Sequence, residues 1–344
     1  MRVAMRNGAS RIARRSLSSS SPALQSAKKK EYAGPLASFP SESKGLEGIP
    51  SRAEQIKALR GSGTDDYDVL VIGGGATGSG IALDAATRGL RVACIERGDF
   101  ASETSSRSTK LIWAGIRYLA TSAAGLLSKR LFLAPAETVK DFLGEFKMVL
   151  GCHKERRFML EKQPHLTNWV PIAIPFDRYL VWPPPFGHPL FSVFPLLAPF
   201  VLKFYDSLSG FSCPPSYVMG PSQAANKFPQ LAHRKLKFAA VFYEAQHNDA
   251  RTNIAISLSA AEHGARIANY VEATELLLDK QTKKAVGVRA IDKMSDGEEF
   301  TIHAKKIIFA GGPYTDLMRG MEGEGEQVKP AVRGASGSHI VLPG

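Results

Sequence analysis

Asp68-Val-Leu-Val-Ile72 runs directly into Gly73-Gly-Gly75-Ala-Thr-Gly78. Five residues with two β-branched Val and an Ile, bounded by glycine, spell a buried strand. The Ala-rich stretch from 76 to 88 is built of good helix formers and is stopped by Gly89, and Arg91-Val-Ala-Cys-Ile-Glu96 reads as a second strand. Strand, glycine turn, helix and strand make one βαβ unit, the opening of a doubly wound α/β sheet.

In that context the glycines match G-x-G-x-x-G, and each has work to do. Gly73 permits the tight turn, Gly75 admits a pyrophosphate to the backbone, and Gly78 lets the helix lie close to the strand. Gly74, Ala76 and Thr77 complete the loop, and the phosphate charge sits against the helix N-terminus. Glu96 ends the second strand 23 residues after Gly73, where a carboxylate accepts from the adenosine ribose hydroxyls and opposes a 2′-phosphate, which disfavours NADP. A second glycine turn, Ile307-Ile-Phe-Ala-Gly311-Gly312, ends a strand about 235 residues later. In two-part flavin folds such a turn returns to the cofactor crevice. No second G-x-G-x-x-G follows a strand, so FAD is the expected cofactor and an organic substrate the expected electron source.

The rest of the chain bounds the reading. Its 344 residues suffice for two packed lobes. The net charge of +12 is concentrated at the start: eight Lys and Arg lie in the first thirty residues, with no acid before Glu31, and the remainder carries 36 basic against 32 acidic side chains. Nucleic acid is therefore not an expected partner. An Arg-rich, Ser-rich, acid-free start has the composition of a mitochondrial transit peptide, with a merely disordered basic tail as the alternative. Cys94, Cys152 and Cys213 are scattered and form no C-x-x-C pair, so neither a metal site nor a disulfide framework is expected, and Cys94 reads as a small core residue.

A capping box, Ser51-Arg-Ala-Glu54, starts a short helix that ends at Gly61 within an otherwise Pro/Gly/Ser-rich linker. Residues 126–165 read as largely helical, and 171–221, dense in proline and aromatics, give no clear order. The apolar run 189–202 is too short to cross a bilayer. Its prolines at 189, 195 and 199 are also expected to break such a span, leaving a buried helix, packed in the core, or a shallow interfacial contact. A helix is expected over 249–262 before Gly264, then four strands at 270–278, 285–291, 298–303 and 306–310, with Asp296-Gly297 as a turn.

Three blocks resemble a family. Thr104-Ser-Ser-Arg-Ser-Thr-Lys-Leu-Ile-Trp-Ala-Gly-Ile-Arg-Tyr-Leu119, Tyr243-Glu-Ala-Gln-His-Asn-Asp-Ala-Arg251 and Arg333-Gly-Ala-Ser-Gly-Ser-His-Ile-Val-Leu-Pro343 are similar, in order, to blocks of the FAD-dependent glycerol-3-phosphate dehydrogenases. The resemblance spans roughly residues 66–344. It implies a Rossmann-like FAD-binding domain of glutathione-reductase type joined to a mixed α+β substrate domain. It also implies oxidation of sn-glycerol 3-phosphate to dihydroxyacetone phosphate, electrons passing to membrane quinone, and peripheral attachment at the intermembrane-space face of the inner mitochondrial membrane, with a homodimer as one admissible assembly. The domain organisation expected is a transit peptide over 1–30, a linker over 31–64, FAD-binding parts over 65–125 and 241–320, a helical and substrate-domain insertion over 126–240, and the start of a substrate segment over 321–344.

Thr104, Ser105 and Ser106 offer hydroxyls and amides to the pyrophosphate and flavin. Lys110, Arg117, Tyr118 and Arg333 are the substrate-binding candidates, the cations because a phosphorylated substrate needs them. Oxidising a secondary alcohol requires a base for the hydroxyl proton, for which His247 and His339 are candidates, with Arg333 beside them in the catalytic set. Asp249 and Arg251 are read as bracing the helix that follows. Two features depart from the family pattern: Trp113-Ala114 stands where many members carry His-Gly, and the family continues beyond Gly344. Other flavin oxidoreductases of the amino-acid-oxidase or 2-hydroxyacid type, and an inactive FAD-binding fragment, stay open as alternatives.

Overall fold

The computed structural model describes residues 48–61, 67–126, 128, 130–181, 192–232, 235–295, 297–322, 330–334 and 337–338. The basic segment 1–30, most of the linker, Pro189, Asp296 and His339 lie outside them. Strands are β1 Tyr67–Ile72, β2 Val92–Ile95, β3 Leu111–Ile112, β4 Thr167–Phe176, β5 Tyr217–Met219, β6 Phe238–His247, β7 Arg266–Ala268, β8 Val271–Leu278, β9 Ala285–Asp292 and β10 Glu299–Phe309. Helices are α1 Arg52–Arg60, α2 Ala76–Thr87, α3 Ile116–Leu126, α4 Arg130–Leu133, α5 Pro135–Lys162, α6 Phe194–Leu208, α7 Pro221–Lys227, α8 Asp249–Glu262 and α9 Thr315–Arg319.

The first sheet has the order β7-β2-β1-β10-β9-β8. Its β7, β2, β1 and β10 run parallel, while β9 is antiparallel to both β10 and β8. Because side chains alternate along a strand, β1 and β2 feed two cores. Leu70, Ile72, Ala93 and Ile95 pack with Val271, Val288 and Ile302 on one side, and Val71, Val92 and Cys94 pack with Ala82, Ala86 and Ala260 of α2 and α8 on the other. Burial pushes the Cys94 thiol up to about 12, so it behaves as an inert core residue.

Two expectations change here. The strands expected at 298–303 and 306–310 are one strand, β10. Its residues 299–303 pair with β9, and Ala304 to Phe309 pair with β1. The intervening His303-Ala-Lys-Lys306 holds no turn residue, so nothing breaks the strand as it changes partners. The short helix of the linker, α1, is docked: Ile56 and Leu59 are buried in the first core, and Arg52 reaches Asp292 (2.6 Å) and the Asn269 carbonyl (2.8 Å). Its capping box is formed, the Ser51 amide donating to Glu54 at 2.7 Å.

The second sheet is antiparallel, with β6 paired to β3, β4 and β5. Pro171 and Pro175 lie in β4, whose one described partner is β6. Four residues apart, they share a side, so both missing N–H groups fall on the free edge, where proline is tolerated. One face of this sheet, with Ala240 and Phe242, packs under α3, α5 and α6 through Leu119, Val149, Ala198, Leu202 and Tyr205. Within the described part of the run 189–202 the expected helix is present, and the prolines do not break it: α6 carries Pro195 in its first turn and Pro199 in its interior. Pro195 needs no N–H there, and the buried Ala198, Leu202 and Tyr205 hold the helix through Pro199. Among the described residues no helix is long and apolar enough to cross a membrane.

Candidate functional site

The glycine loop is shaped by what would collide with a side chain. Gly73 follows β1 with φ +117°, and a Cβ there would fall on the Ala310 carbonyl at the end of β10. A Cβ on Gly78 would fall on the Gly73 carbonyl, so α2 lies closer to β1 than any side chain permits. Gly75 differs. It is the N-cap of α2 in extended conformation, supplies no capping side chain, and a Cβ there would meet only the Ser105 Oγ, at 3.2 Å. The first turn of α2 therefore presents its amides outward, and Ala76 N donates to Ser105 Oγ at 2.9 Å.

Glu96 is held by this loop. Its two carboxylate oxygens accept from Gly74 N and Gly98 N, each at 2.7 Å, which fixes the side chain at the rim while leaving lone pairs for further donors. Residues far apart in sequence meet in one crevice of about 190 Å³, lined by Gly73, Gly75, Glu96, Thr104, Ser105 and Gly311 among others. Ala76, Thr77 and Gly312 line it too, and Gly312 turns the chain away at φ +53°. Gly74, Gly78 and Ser106 do not line it. The first two make the packing behind it, and the Ser106 carbonyl accepts from Lys110 at 3.1 Å. Thr104, Ser105 and Ser106 form a single 3-10 turn. Spacing gave no sign of the clamp from behind: Asn253 Nδ2 donates to the Gly74 carbonyl at 2.9 Å, and Ser79 and Ser257 share a 2.8 Å hydrogen bond.

The crevice fits a flavin dinucleotide on its own chemistry. A phosphate requires an uncapped helix N-terminus with room in front of it, and an adenosine ribose requires a fixed carboxylate at the end of β2. Both are present, and the rim also carries apolar Val271, Ala273 and Met318.

The substrate candidates do not gather in this crevice. Lys110 and His247 line a second cavity of about 310 Å³ that shares no lining residue with the first. The Lys110 ammonium is bound to Asp249 at 2.6 Å as well as to Ser106. Burial raises the affinity of Asp249 for a proton, but hydrogen bonds from Lys110, Ser108 and the Ala250 amide outweigh it and hold the carboxyl far below the usual range. His247 Nδ1 faces Thr252 Oγ1 at 3.0 Å, and burial, opposed by Asp249, keeps the ring below the ordinary imidazole value, hence neutral at pH 7. Arg117 and Tyr118 stand exposed on α3, where Tyr118 packs its ring on Trp113 at 5.6 Å. Arg333 is exposed in a segment tied down by Asp316, which accepts from Ala331 N (3.0 Å) and Val332 N (3.2 Å). Among the described residues, neither Arg117 nor Arg333 has a side-chain partner.

A buried polar network that the sequence did not reveal sets the segment before Arg117. Glu244 on β6 pairs with Arg156 of α5, accepts from Tyr205 OH at 2.7 Å, and takes the Ala114 amide at 3.2 Å. Glu244, Arg156 and Tyr205 are each 1% exposed, so these three side chains meet one another away from water. The Arg156 guanidinium also meets His153 Nδ1 at 3.0 Å and lies over the Trp169 ring.

Residues 68–344 match the family model described as FAD dependent oxidoreductase. The chain belongs to that family. This FAD-dependent oxidoreductase is similar to mitochondrial glycerol-3-phosphate dehydrogenase of Bos taurus, at 43% identity over 300 residues, covering 86% of this chain and 37% of that protein. The Rattus norvegicus protein of the same name is 42% identical over the same shares. Among solved structures, the FAD complex of glycerol-3-phosphate dehydrogenase from Bacillus halodurans superposes with a TM-score of 0.52 at 28% identity, over 79% of this chain and 38% of that one. The chain thus spans little more than a third of the length of the curated relatives it matches.

Proposed function

We propose that the protein, in its full-length form, oxidises sn-glycerol 3-phosphate to dihydroxyacetone phosphate in the mitochondrion and passes the electrons to membrane quinone. One observation carries this reading: 43% identity across 86% of the chain to a protein named for that dehydrogenase activity. The unpartnered cations Arg117 and Arg333 support it, since a phosphate dianion calls for guanidinium forks not already committed to carboxylates. Bound FAD supplies the two-electron acceptor for the alcohol carbon. Arg117 and Arg333 hold the phosphate, and Tyr118, braced on Trp113, lies against the bound alcohol. Lys110 braces the 106–110 loop through Ser106 and Asp249. His247 lies in the separate cavity, so the proton of the substrate hydroxyl is assigned to His339.

Attachment to the inner membrane at its intermembrane-space face is part of the same proposal. It is supported by the outer side of α6, where Leu196, Leu197, Phe200 and Phe204 are exposed, Phe200 at 73%.

The test is anaerobic addition of sn-glycerol 3-phosphate to the flavin-loaded full-length protein. Bleaching of the flavin by this compound, but not by a 2-hydroxy acid or an amino acid, is the expected result, and Arg333→Ala should slow it at least tenfold with flavin retained. Bleaching by the carboxylic acids and not by the phosphate ester would overturn the reading.

A further inference from the structure

The second cavity has a chemistry the oxidation reaction does not use. It lies where β4 starts, β6 ends and α8 begins, and its polar lining comes from Lys110, His165, Asn168, Gln246, His247, Asn248 and Arg251. No carboxylate lines it. The adjacent carboxylate, Asp249, is saturated: it accepts from Lys110 Nζ (2.6 Å), Ser108 Oγ (2.7 Å), Ser108 N (3.1 Å) and Ala250 N (2.9 Å), which fills its lone-pair sites. Its charge is thus spent against Lys110. The guanidinium of Arg251 has no ion-pair or hydrogen-bond partner among the described residues, so the cavity keeps one uncompensated positive charge.

The remaining groups are donors waiting for an acceptor. Asn168 and Gln246 are cross-strand partners in the β4–β6 register, so their amides stand side by side on one face. Neither side-chain amide has a partner among the described residues. His165 adds an exposed imidazole, and the Asn248 cap, whose Oδ1 accepts from Arg251 N at 3.1 Å, brings the positive end of the 14-residue α8 to the same place. The volume of about 310 Å³ sits at the small end of ligand sites.

We propose that this cavity binds a phosphate dianion, either inorganic phosphate or the head group of a small phosphomonoester, at a site separate from the flavin crevice and from Arg117 and Arg333. Arg251 clasps two phosphate oxygens through its fork, Asn168 and Gln246 donate to the third, and His165 closes the outer side. Lys110 links the site to the flavin-side loop, since this lining residue donates its ammonium to the Ser106 carbonyl.

The experiment is calorimetric titration of the flavin-loaded full-length protein at constant ionic strength. Inorganic phosphate and phenyl phosphate are the two probes, and chloride is the control. The Arg117→Gln, Arg333→Gln double variant removes the phosphate site proposed for the substrate, and Arg251→Gln and His165→Gln are each added to that background, with flavin absorbance reporting that each variant is folded. The expected result is saturable phosphate binding that persists in the double-variant background, weakens at least tenfold when Arg251→Gln is added, and weakens to a lesser extent with His165→Gln. Tighter binding of inorganic phosphate identifies the free anion as the occupant, and tighter binding of phenyl phosphate identifies a monoester; either supports the site. Binding that survives Arg251→Gln unchanged, that is already lost in the double-variant background, or that does not exceed the chloride control overturns it. No turnover is measured, so a protein that fails to oxidise glycerol 3-phosphate still gives a reading.

Discussion

The flavin crevice and the core of the second sheet solve opposite problems with opposite materials. In the crevice, side chains are removed: Gly73 and Gly78 are positions where a Cβ meets backbone oxygen, and the α2 N-terminus is left without a cap. Under α5 and α6, side chains supply everything, with Arg156, Glu244, Tyr205 and the Ala114 amide satisfying one another out of reach of water. A crevice of this kind is completed by a ligand, whereas the buried network draws its partners from the chain itself. The first should therefore fail selectively, by losing its ligand, and the second globally, by losing stability.

The largest expected effect lies in the network. Glu244→Leu strands the Arg156 charge in a site 1% exposed and should cost roughly 3–5 kcal/mol of stability, while Arg156→Met with Glu244→Leu recovers most of it. Chemical denaturation of the two variants checks this, and a double variant as unstable as the single one would break the contrast. Gly78→Ala comes next. Its Cβ meets the Gly73 carbonyl, which has no rotamer to yield, so a cost at or above the roughly 1–3 kcal/mol of ordinary overpacking is expected, together with loss of flavin.

How much of this was legible in advance follows from the range of each interaction. The βαβ unit, the glycine loop, Glu96 and the return of Gly311 and Gly312 were readable because strand alternation, helix period and glycine spacing are local signals. The second sheet was not. β4 carries two prolines and reads as a break until it is known to be an edge strand, and nothing near Phe238 announces that β6 pairs with three partners. Arg156 and Glu244 lie 88 residues apart, and Asn253 reaches Gly74 across 179, separations at which a pair of residue types carries no signal. Lys110 and His247 were named as functional candidates, but their shared cavity depends on β3 and β6 being neighbours.

Two smaller effects sharpen the comparison. Burial, with help from the Arg156 charge, pulls the His153 imidazole down to about 4 from its ordinary 6.5. The unfolded chain then takes up a proton between pH 6.5 and 4 that the fold refuses, so this contribution to stability is complete above pH 6.5 and declines as the pH falls toward 4. Thermal unfolding between pH 7.5 and 4.5 should show a decline that is shallower in His153→Gln, and equal slopes would remove His153 from the account. The smallest effect is expected for Ser105→Ala, which loses the 2.9 Å bond from Ala76 N. A cost of about 1 kcal/mol is expected in the flavin-free protein, and less in the flavin-loaded one, where a phosphate oxygen takes the same amide.

Gly75→Val separates the two kinds of failure in one variant. Position 75 is extended backbone that valine adopts without strain, and its Cβ meets only a movable serine hydroxyl, so the protein itself has room for the substitution. Flavin absorbance and flavin-free thermal unfolding of this variant should be measured together. The expected result is a thermal midpoint within a few degrees of the unmodified chain and no bound FAD. A Gly75→Val protein that retains FAD with a normal spectrum would mean that the dinucleotide does not lie against this loop.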